Sequence, residues 1–397
     1  MKLNETPSGE RITIGFFGMR NAGKSSLVNA LTDQSVSVVS DTPGTTTDPV
    51  KKAMELLPLG AVVIVDTPGF DDVGDLGELR VKTTRRTLAY TDIAVVVIDA
   101  QKGMSMLDIS LISELEKRNI PYVKAYNKSD ASTVVYDDGI AVSARDKKGI
   151  EELKAAICGV YRSSTENKRI VTDILCDDPT VLLVMPIDEA APKGRIILPQ
   201  QQTIRDILDA HGACICCQPE QLSKMLECME SPPDIVITDS QVFGKVASIV
   251  PEDIPLTSFS ILFARYKGEL QTLVDGAMKI HSLNDGDTVL ISEGCTHRRS
   301  CKDIGSVKIP NMMRSFTKKE LNFVFSSGGE FPDDLSGISL VVHCGGCMLN
   351  QKEMHYRMAT SEQNGVPMVN YGVAIAEMNG ILRRSLKVFP DIKVDKF

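Results

Sequence analysis

The stretch from residue 12 to residue 31 constrains the fold of this chain more than any other. Ile12–Phe17 reads as a β-strand, and Ser26–Leu31 reads as the start of a helix. Between them lies the turn Gly18-Met-Arg-Asn-Ala-Gly-Lys-Ser25. A strand, a turn with glycine near both ends and a helix, in this order, predict the first βα unit of a P-loop nucleotide-binding domain.

Residues of this turn have separate predicted roles in holding a nucleotide. Gly18 and Gly23 let backbone N–H groups close on the β-phosphate, at the positive end of the helix dipole. Lys24 is expected to reach the β- and γ-phosphates, and the Ser25 hydroxyl is expected to bind Mg²⁺. Ser26 completes the predicted nucleotide contacts of the turn. The alternative, a glycine turn with a structural role only, is disfavoured by the strand before it and the helix after it.

Two further segments supply the rest of a predicted Mg²⁺ and γ-phosphate site. Val62–Val65 reads as a buried strand that ends at Asp66-Thr-Pro-Gly69. Asp66 is predicted to hold Mg²⁺ through water, and the Gly69 amide is predicted to sense the γ-phosphate. One threonine of the loop Gly44-Thr-Thr-Thr-Asp48 is predicted to complete the Mg²⁺ shell.

The base-binding segments indicate guanine rather than adenine. Asn127-Lys-Ser-Asp130 and Ser143-Ala144 each follow an apolar strand. The Asp130 carboxylate can accept hydrogen bonds from the N1 and N2 protons of guanine, a donor pair that adenine lacks. The sequence therefore predicts a GTP/GDP site. Its predicted base-site residues are Asn127, Lys128, Asp130, Ser143 and Ala144.

Residues 11 to 162 resemble the domain of translation-factor-related GTPases, most closely the tRNA-modification GTPases. In that group an asparagine of the phosphate loop helps to bind a K⁺ ion that replaces an arginine finger. Asn21 matches this asparagine, and Thr46 matches the Mg²⁺-binding threonine. Phe70 stands where many GTPases have a water-orienting glutamine, so the resemblance implies slow, cation-dependent hydrolysis. Asn21 has an alternative role as a cap of its own turn. The predicted catalytic residues are Lys24, Asn21, Thr46, Asp66 and Gly69.

Two cysteine motifs lie in the last third of the chain. Cys295-Thr-His297 and His343-Cys344-Gly-Gly-Cys347 each follow an apolar run that reads as a strand. Because the carboxyl ends of parallel strands meet at one edge of a sheet, the thiols are expected to share one crevice. Three cysteines with an exchangeable non-cysteine ligand suit an iron–sulfur cluster better than zinc, which usually takes four fixed ligands. A redox dithiol, a half-zinc site and plain core packing are the alternatives.

The GTPase segment joined to these cysteine motifs resembles the FeFe-hydrogenase maturation GTPases of the HydF family, over essentially the whole chain. The resemblance implies a scaffold that binds a 4Fe-4S cluster through Cys295, Cys344 and Cys347. It implies a transient diiron precursor bearing CO, cyanide and a dithiolate bridge, supplied by two radical-SAM maturases and delivered to apo FeFe-hydrogenase. His297 and His343 match the histidines of the family motif. The fourth ligand stays open between His297, His343, Cys301, a carboxylate and an exogenous group.

The chain divides into three predicted domains. Polar residues 163 to 169 read as a linker, after which strand and helix signals alternate. The predicted fold class is α/β, with a P-loop GTPase domain (1–165) followed by two smaller α/β domains with parallel or mixed sheets. The first of these (170–255) is predicted to form a homodimer, and the second (256–397) to bind the cluster. Three thiols of the middle domain, on a strand predicted to be buried, favour core packing over metal binding. They are Cys214, Cys216 and Cys217.

Composition limits the classes of partner. The chain has 44 Lys and Arg against 52 Asp and Glu, a formal net charge of −8. That excess of acid argues against nucleic-acid binding, and so against the alternative of an RNA-modification GTPase. A redox protein with an accessory cluster is the other alternative. Residues 1 to 11 are polar and no apolar segment reaches membrane-spanning length, so we expect a cytoplasmic protein that does not bind membranes.

Overall fold

A computed structural model describes residues 11–32, 49–69, 83–84, 86–164, 169–187, 196–294, 304–328, 331–346 and 349–393. The chain forms two compact units, Met1–Glu166 and Asn167–Phe397. Each is built from helices and predominantly parallel sheets, as the alternation of strand and helix signals predicts.

The first unit contains a six-stranded sheet with the order β2-β3-β1-β4-β5-β6. All neighbouring strands are parallel except β2 and β3, which are antiparallel, so the sheet is mixed. The strands are β1 (Ile12–Phe17), β2 (Val50–Leu56), β3 (Gly60–Asp66), β4 (Ile93–Asp99), β5 (Tyr122–Asn127) and β6 (Ile140–Ala141). The helices include α1 (Lys24–Thr32), α2 (Met106–Lys117) and α3 (Ile150–Ser164).

The central strands of this sheet are buried on both faces. Successive side chains of a strand point to opposite faces, and Phe16 and Phe17 of β1 accordingly enter two different apolar clusters. All seven residues of β4 are buried, as its run of Ala, Val and Ile predicts for a parallel strand covered on both sides. This burial places the polar ends of β1, β3, β4 and β5 at one edge of the sheet.

The second unit contains two four-stranded sheets, and every pair of neighbouring strands in both is parallel. The first sheet has the order β10-β9-β7-β8 and the second β12-β11-β13-β14. A single cluster of buried apolar side chains includes members of both sheets, for example Val181 and Val289. The strands are β7 (Thr180–Val184), β8 (Ala213–Cys217), β9 (Ile235–Thr238), β10 (Leu256–Ser258), β11 (Thr288–Glu293), β12 (Asn322–Ser327), β13 (Leu340–His343) and β14 (Met368–Asn370).

Helices connect the strands of the second unit. The connections include α4 (Leu198–Asp209), α5 (Leu222–Cys228), α6 (Phe243–Ala247), α7 (Phe259–Lys267), α8 (Leu270–Lys279), α9 (Ile309–Thr317), α10 (Gln351–Gln363), α11 (Tyr371–Met378) and α12 (Leu382–Leu386). The predicted boundary between residues 255 and 256 falls just before β10, which pairs with β9 of the first sheet. The division into domains at that point stays a prediction.

The strands that precede the two cysteine motifs are neighbours. β11 and β13 are paired in parallel register, with Ser292 opposite His343. β12 and β14 flank this pair, so the four strands form one parallel sheet. β14 leads directly into α11, where the Asn370 side chain accepts a hydrogen bond from the Val373 amide.

One prediction about the middle of the chain is wrong. β8, which carries Cys214, Cys216 and Cys217, is an edge strand rather than a buried one. Cys216 is exposed, and Cys214 and Cys217 are only partly buried. A five-residue apolar run does not reveal from the sequence whether a strand lies in the centre or at the edge of a sheet. Among the described residues, no helix combines the length and apolar composition that crossing a membrane requires.

Candidate functional site

The turn between β1 and α1 has the geometry of a phosphate-binding loop. Gly18 and Gly23 have φ angles of +148° and +89°, conformations that side chains rarely adopt. Lys24 is the first residue of α1, and its ammonium group donates to the carbonyl oxygens of Gly18 and Met19 at 2.9 Å each. Lys24 is therefore held over the loop in which it is predicted to meet the nucleotide phosphates. Ser26 is exposed on the first turn of the same helix.

Ser25 and Asp66 come together at the carboxyl ends of β1 and β3. The Ser25 hydroxyl donates to Asp66 Oδ2, and in the described part of the chain the buried Asp66 Oδ1 has no hydrogen-bond partner. Burial raises the pKa of Asp66 above its ordinary value, although the Ser25 hydrogen bond and the Lys24 charge oppose this shift. A buried carboxylate oxygen without a partner beside a hydroxyl is the hard oxygen donor set that Mg²⁺ prefers. Thr46, the remaining predicted Mg²⁺ ligand, lies outside the described residues.

Gly69 packs directly against the phosphate loop. A Cβ added at Gly69 would lie 2.8 Å from the backbone nitrogen of Arg20, closer than real contacts allow. Glycine at this position therefore lets the segment after β3 approach the loop. Gly69 thus lies beside the phosphate loop, and the contact of its amide with the γ-phosphate stays a prediction.

Asn127 ties the base-binding segments to the phosphate loop. Its side-chain amide donates to the Ala22 carbonyl at 2.9 Å, and its side-chain oxygen accepts from the Ala144 amide at 3.1 Å. Asn127 therefore bridges two loops that are separated by more than 100 residues. A Cβ at Gly23 would collide with the Asn127 amide, a second reason for glycine there.

The predicted guanine-reading carboxylate is held by the neighbouring loop. Asp130 Oδ1 accepts a hydrogen bond from the Ser143 hydroxyl at 2.8 Å, which fixes the carboxylate while leaving its second oxygen available for a base. Lys128 adopts a left-handed conformation and forms an ion pair with Asp99 at 2.6 Å. The structure thus gathers all five predicted base-site residues at one end of β5 and β6.

Asn21 has a left-handed backbone conformation, which limits the substitutions that can test its role. Its φ angle is +62°, and the residue is exposed at the top of the phosphate loop. Asn and Gly tolerate this left-handed region, whereas most other residues are strained there. The predicted K⁺ contact of Asn21 stays a prediction.

The cysteine motif after β13 lies against the end of β11. The Cys344 amide donates to the Ser292 carbonyl at 2.8 Å, which continues the strand pairing past the end of β13. The Gly294 amide then donates to the Cys344 sulfur at 3.1 Å. Gly294 immediately precedes Cys295 in the sequence, and Cys295 lies outside the described residues, so the convergence of the two cysteine motifs stays a prediction.

The Cys344 sulfur sits in a nest of backbone amides. It accepts from the Gly346 amide at 3.4 Å as well as from Gly294, and Gly346 has a left-handed φ of +62°. Burial raises the pKa of the Cys344 thiol above its ordinary value, while the two amides and the nearby Arg357 charge oppose the shift. Amide donors that converge on a cysteine sulfur are the hydrogen bonds that iron–sulfur ligands commonly accept.

Both ring nitrogens of His343 are occupied by hydrogen bonds. Nδ1 lies 2.7 Å from the Cys344 carbonyl, and Nε2 lies 2.9 Å from an Arg357 guanidinium nitrogen. A carbonyl can only accept and a guanidinium can only donate, so His343 is the neutral tautomer with its proton on Nδ1. Burial, followed by the Arg357 charge, lowers the pKa of His343 to about 4. The imidazole is consequently neutral near pH 7.

Arg357 connects three segments behind the cysteine motif. It is fully buried, donates to Glu353 on the same helix at 2.9 Å and to the Gly328 carbonyl after β12 at 2.8 Å, and also binds His343. A buried guanidinium is costly unless its charge and donors are satisfied, and this network satisfies them. Sequence reasoning missed Arg357 and Glu353. Their spacing of four on a helix was visible, but such a pair usually marks an exposed face.

A buried carboxylate near the site was also missed. Glu293, the last residue of β11, is 5% exposed and its Oε1 lies 3.3 Å from the Tyr371 hydroxyl.

Some predicted metal ligands fall outside the described residues. Within the described ranges, no group of three or more His, Cys, Asp or Glu is arranged to hold a metal ion. The residues outside are Cys295, His297, Cys301 and Cys347.

Comparison with protein families divides the chain into three matched segments. Residues 13–128 match a family described as 50S ribosome-binding GTPase. Residues 170–268 match the hydrogen maturase F dimerization domain, and residues 271–388 match the hydrogen maturase F tetramerization domain. The two maturase domains together span more than half of the chain.

Curated relatives match the GTPase segment. GTPase Der of Wolinella succinogenes is 32% identical over 193 residues, covering 44% of this chain and 40% of the relative. The tRNA modification GTPase MnmE of Heliobacterium modesticaldum is 36% identical over 154 residues, covering 35% of this chain and 32% of the relative. The chain thus spans two fifths or less of the curated relatives named here. Among solved structures, a probable GTP-binding protein engB is 26% identical with a TM-score of 0.31, covering 38% of this chain and 99% of that one.

These matches confirm the predicted fold class, a P-loop GTPase domain followed by two further α/β domains. They also confirm a hydrolase acting on GTP, with the phosphate loop and base-binding loops assembled as described above. The dimerization and tetramerization domains support self-association of the chain. The chain belongs to the hydrogen maturase F family and contains a GTPase domain.

Proposed function

We propose that this GTPase is also a scaffold that holds a 4Fe-4S cluster and carries a diiron precursor to apo FeFe-hydrogenase. Cys295, Cys344 and Cys347 are the proposed cluster ligands. The observation that carries the proposal is the 3.1 Å contact between the Gly294 amide and the Cys344 sulfur. It supports a common site for two cysteine motifs that are about fifty residues apart in the sequence.

The surroundings of Cys344, the one proposed ligand among the described residues, support such a cluster. Cys344 offers a soft donor at the carboxyl end of a parallel strand, and its sulfur already accepts two amide hydrogen bonds. When bound, a 4Fe-4S cluster with three cysteine ligands supplies one iron whose fourth ligand can be exchanged. The surrounding residues fix the loop, exclude water from His343 and hold the Cys344 carbonyl in place.

The geometry around His343 supports a hydrogen-bonding role rather than ligation. Both of its ring nitrogens are occupied, and freeing Nε2 would break a buried contact with Arg357. Leaving a buried guanidinium donor unpaired costs about 1–3 kcal/mol or more. In this proposal His343 orients the Cys344 carbonyl, and the exchangeable position belongs to another group. His297, Cys301, a carboxylate such as Glu293 and an exogenous ligand stay open.

The cargo in this proposal is a diiron fragment with CO, cyanide and a dithiolate bridge. Two radical-SAM maturases supply it and apo FeFe-hydrogenase receives it. The maturase dimerization domain favours a homodimer as the carrying form. The net charge of −8 gives no support to nucleic acid as a partner.

In the GTPase unit, the proposed metal ligands are Ser25 and Thr46, with Asp66 acting through water. Mg²⁺ there would neutralise charge on the β- and γ-phosphates. Lys24 would stabilise the same phosphates, and the Gly69 amide would donate to the γ-phosphate. Asn21 would hold a K⁺ ion close to the transferred phosphoryl group.

GTP turnover is expected to be at least about ten-fold faster in KCl than in NaCl at equal ionic strength, about 1.4 kcal/mol in barrier height. Asn21→Gly is the matched variant, because glycine accepts the left-handed backbone conformation while the whole carboxamide side chain, with its oxygen, is removed. Its turnover should be slow in both salts. Equal rates for the wild-type protein in the two salts would count against the K⁺ site.

Electron paramagnetic resonance tests the scaffold directly. Protein reconstituted anaerobically with iron and sulfide, and then reduced, is expected to show the signal of a 4Fe-4S cluster. Adding cyanide or imidazole should change that signal, because an exchangeable iron position binds such ligands. A sample that holds no iron would refute the scaffold. A signal unchanged by either ligand would indicate fixed ligation, as in an electron-transfer protein.

A further inference from the structure

A second buried cation reaches the cysteine motif from a different part of the fold. Lys267 is the last residue of α7 and is 3% exposed. Its ammonium group donates to the Gly346 carbonyl at 2.8 Å and to the Leu349 carbonyl at 3.0 Å. In the sequence these two carbonyls bracket Cys347 and Met348. Lys267 therefore forms hydrogen bonds with the loop on both sides of Cys347, a proposed cluster ligand.

This placement is unusual for a lysine at a helix end. Such a side chain commonly stays in solvent and interacts with the last carbonyls of its own helix. Lys267 instead reaches a loop 79 to 82 residues further along the chain. Burying an ammonium group carries a large desolvation cost, so the carbonyl contacts must be well formed to offset it. The fold thus keeps a buried ammonium group at this loop despite the desolvation cost.

The helix that carries Lys267 starts at the other sheet. α7 is nine residues long, and the Ser258 side chain at the end of β10 caps it by accepting from the Ile261 amide at 3.3 Å. Gly268 follows at once, and a Cβ there would lie 2.9 Å from the Met358 sulfur of α10. The end of α7 is therefore packed tightly against the helix that follows the cysteine motif. Lys267 lies within the matched dimerization domain, whereas Gly346 and Leu349 lie within the matched tetramerization domain.

We propose that Lys267 is a positioning residue for the cluster, which fixes the loop of Cys347 by binding the carbonyls of Gly346 and Leu349. The inference rests on the proposed scaffold function. Through α7, the domain matched as the dimerization module supports the geometry of a cluster site in the next domain. Lys267 acts through the backbone carbonyls of Gly346 and Leu349, so its effect is on how firmly the loop holds its ligand.

The test measures iron release from anaerobically reconstituted protein to a chelator in excess. Lys267→Met keeps an unbranched apolar stem and removes the ammonium group with the two hydrogen bonds to Gly346 and Leu349, so iron release is expected to be about 10- to 100-fold faster. Lys267→Gln keeps one donor and should give an intermediate rate. Lys224→Met, an exposed lysine on α5, is the matched control and should release iron at the wild-type rate.

Electron paramagnetic resonance spectra of the same samples distinguish an effect of Lys267 on the cluster loop from an effect on the stability of the whole fold. A looser loop should broaden or shift the signal of the reduced cluster in Lys267→Met and less in Lys267→Gln. Destabilisation alone would lower the midpoint of thermal unfolding while the folded, gel-filtered fraction kept the wild-type spectrum and release rate. That outcome would overturn the inference. If Lys267→Met does not fold, the folded fraction of Lys267→Gln decides the case by the same comparison.

The failure of this inference is distinguishable from failure of the scaffold. A wild-type protein that holds no iron refutes the scaffold and this inference with it. A wild-type protein that holds a cluster, together with wild-type release and spectra in Lys267→Met and Lys267→Gln, refutes only the role of Lys267.

Discussion

Replacing Cys344 by serine is expected to remove most of the iron that the reconstituted protein binds and to abolish hydrogenase activation. Serine offers a hard hydroxyl in place of a soft thiolate, and its oxygen does not readily lose a proton. The Gly294 and Gly346 amides could still donate to the serine oxygen. The fold should therefore survive, with a change in unfolding free energy of about 1 kcal/mol or less.

The measurements are iron and sulfide content, the resonance signal, activation of apo FeFe-hydrogenase and GTP turnover. GTP turnover should stay within about two-fold of the wild-type value, less than 0.5 kcal/mol in barrier height. Cys228→Ser is the matched control, because Cys228 is exposed on α5 and belongs to neither cysteine motif. Retention of the full cluster by Cys344→Ser would contradict the assignment of Cys344. Loss of GTP turnover together with the cluster would contradict two separable activities.

Lys24→Met is expected to have the opposite effect, lowering kcat/KM for GTP by about a thousand-fold, roughly 4 kcal/mol. The Lys24 ammonium group is held over the phosphate loop by the Gly18 and Met19 carbonyls. Methionine keeps the apolar stem packed and removes the charge that the γ-phosphate requires in the transition state. Cluster content of this variant should equal that of the wild-type protein.

Steady-state GTP hydrolysis and nucleotide binding check this prediction. Lys117→Met is the control, since Lys117 is exposed at the last turn of α2. A Lys24→Met protein that hydrolysed GTP at more than a tenth of the wild-type rate would rule out the assigned role. Read together, Cys344→Ser and Lys24→Met show whether hydrolysis is required for delivery or only for regulation, because each removes one activity and spares the other.

Much of the GTPase site was predictable because each part is local in sequence. A strand followed by Gly18-to-Ser25 and a helix specifies a phosphate loop within about fifteen residues, and Asp66 and Asp130 each directly follow or lie close to a strand. The structure confirms that these segments converge. It adds the role of Asn127 as a bridge, which depends on a contact over 105 residues.

The environment of the cysteine motif was less predictable. Two apolar runs that each precede a cysteine motif predict two strands of one parallel sheet, and the structure confirms this and shows that the strands are direct neighbours. The edge position of β8 did not follow, because strand order in a sheet depends on packing between distant segments. The sequence left His343 open as a fourth cluster ligand, and only the structure shows that hydrogen bonds occupy both of its ring nitrogens.

The sequence by itself determined that this chain binds guanine nucleotide and carries thiols at the ends of two strands, because those signals are short, contiguous patterns of residue type. Only the tertiary structure decided which buried groups support them. Arg357 reaches His343 and Gly328, and Lys267 reaches a loop some eighty residues away. Such partners have no local pattern, because a buried charge is satisfied by whatever donors and acceptors the fold brings within hydrogen-bond distance.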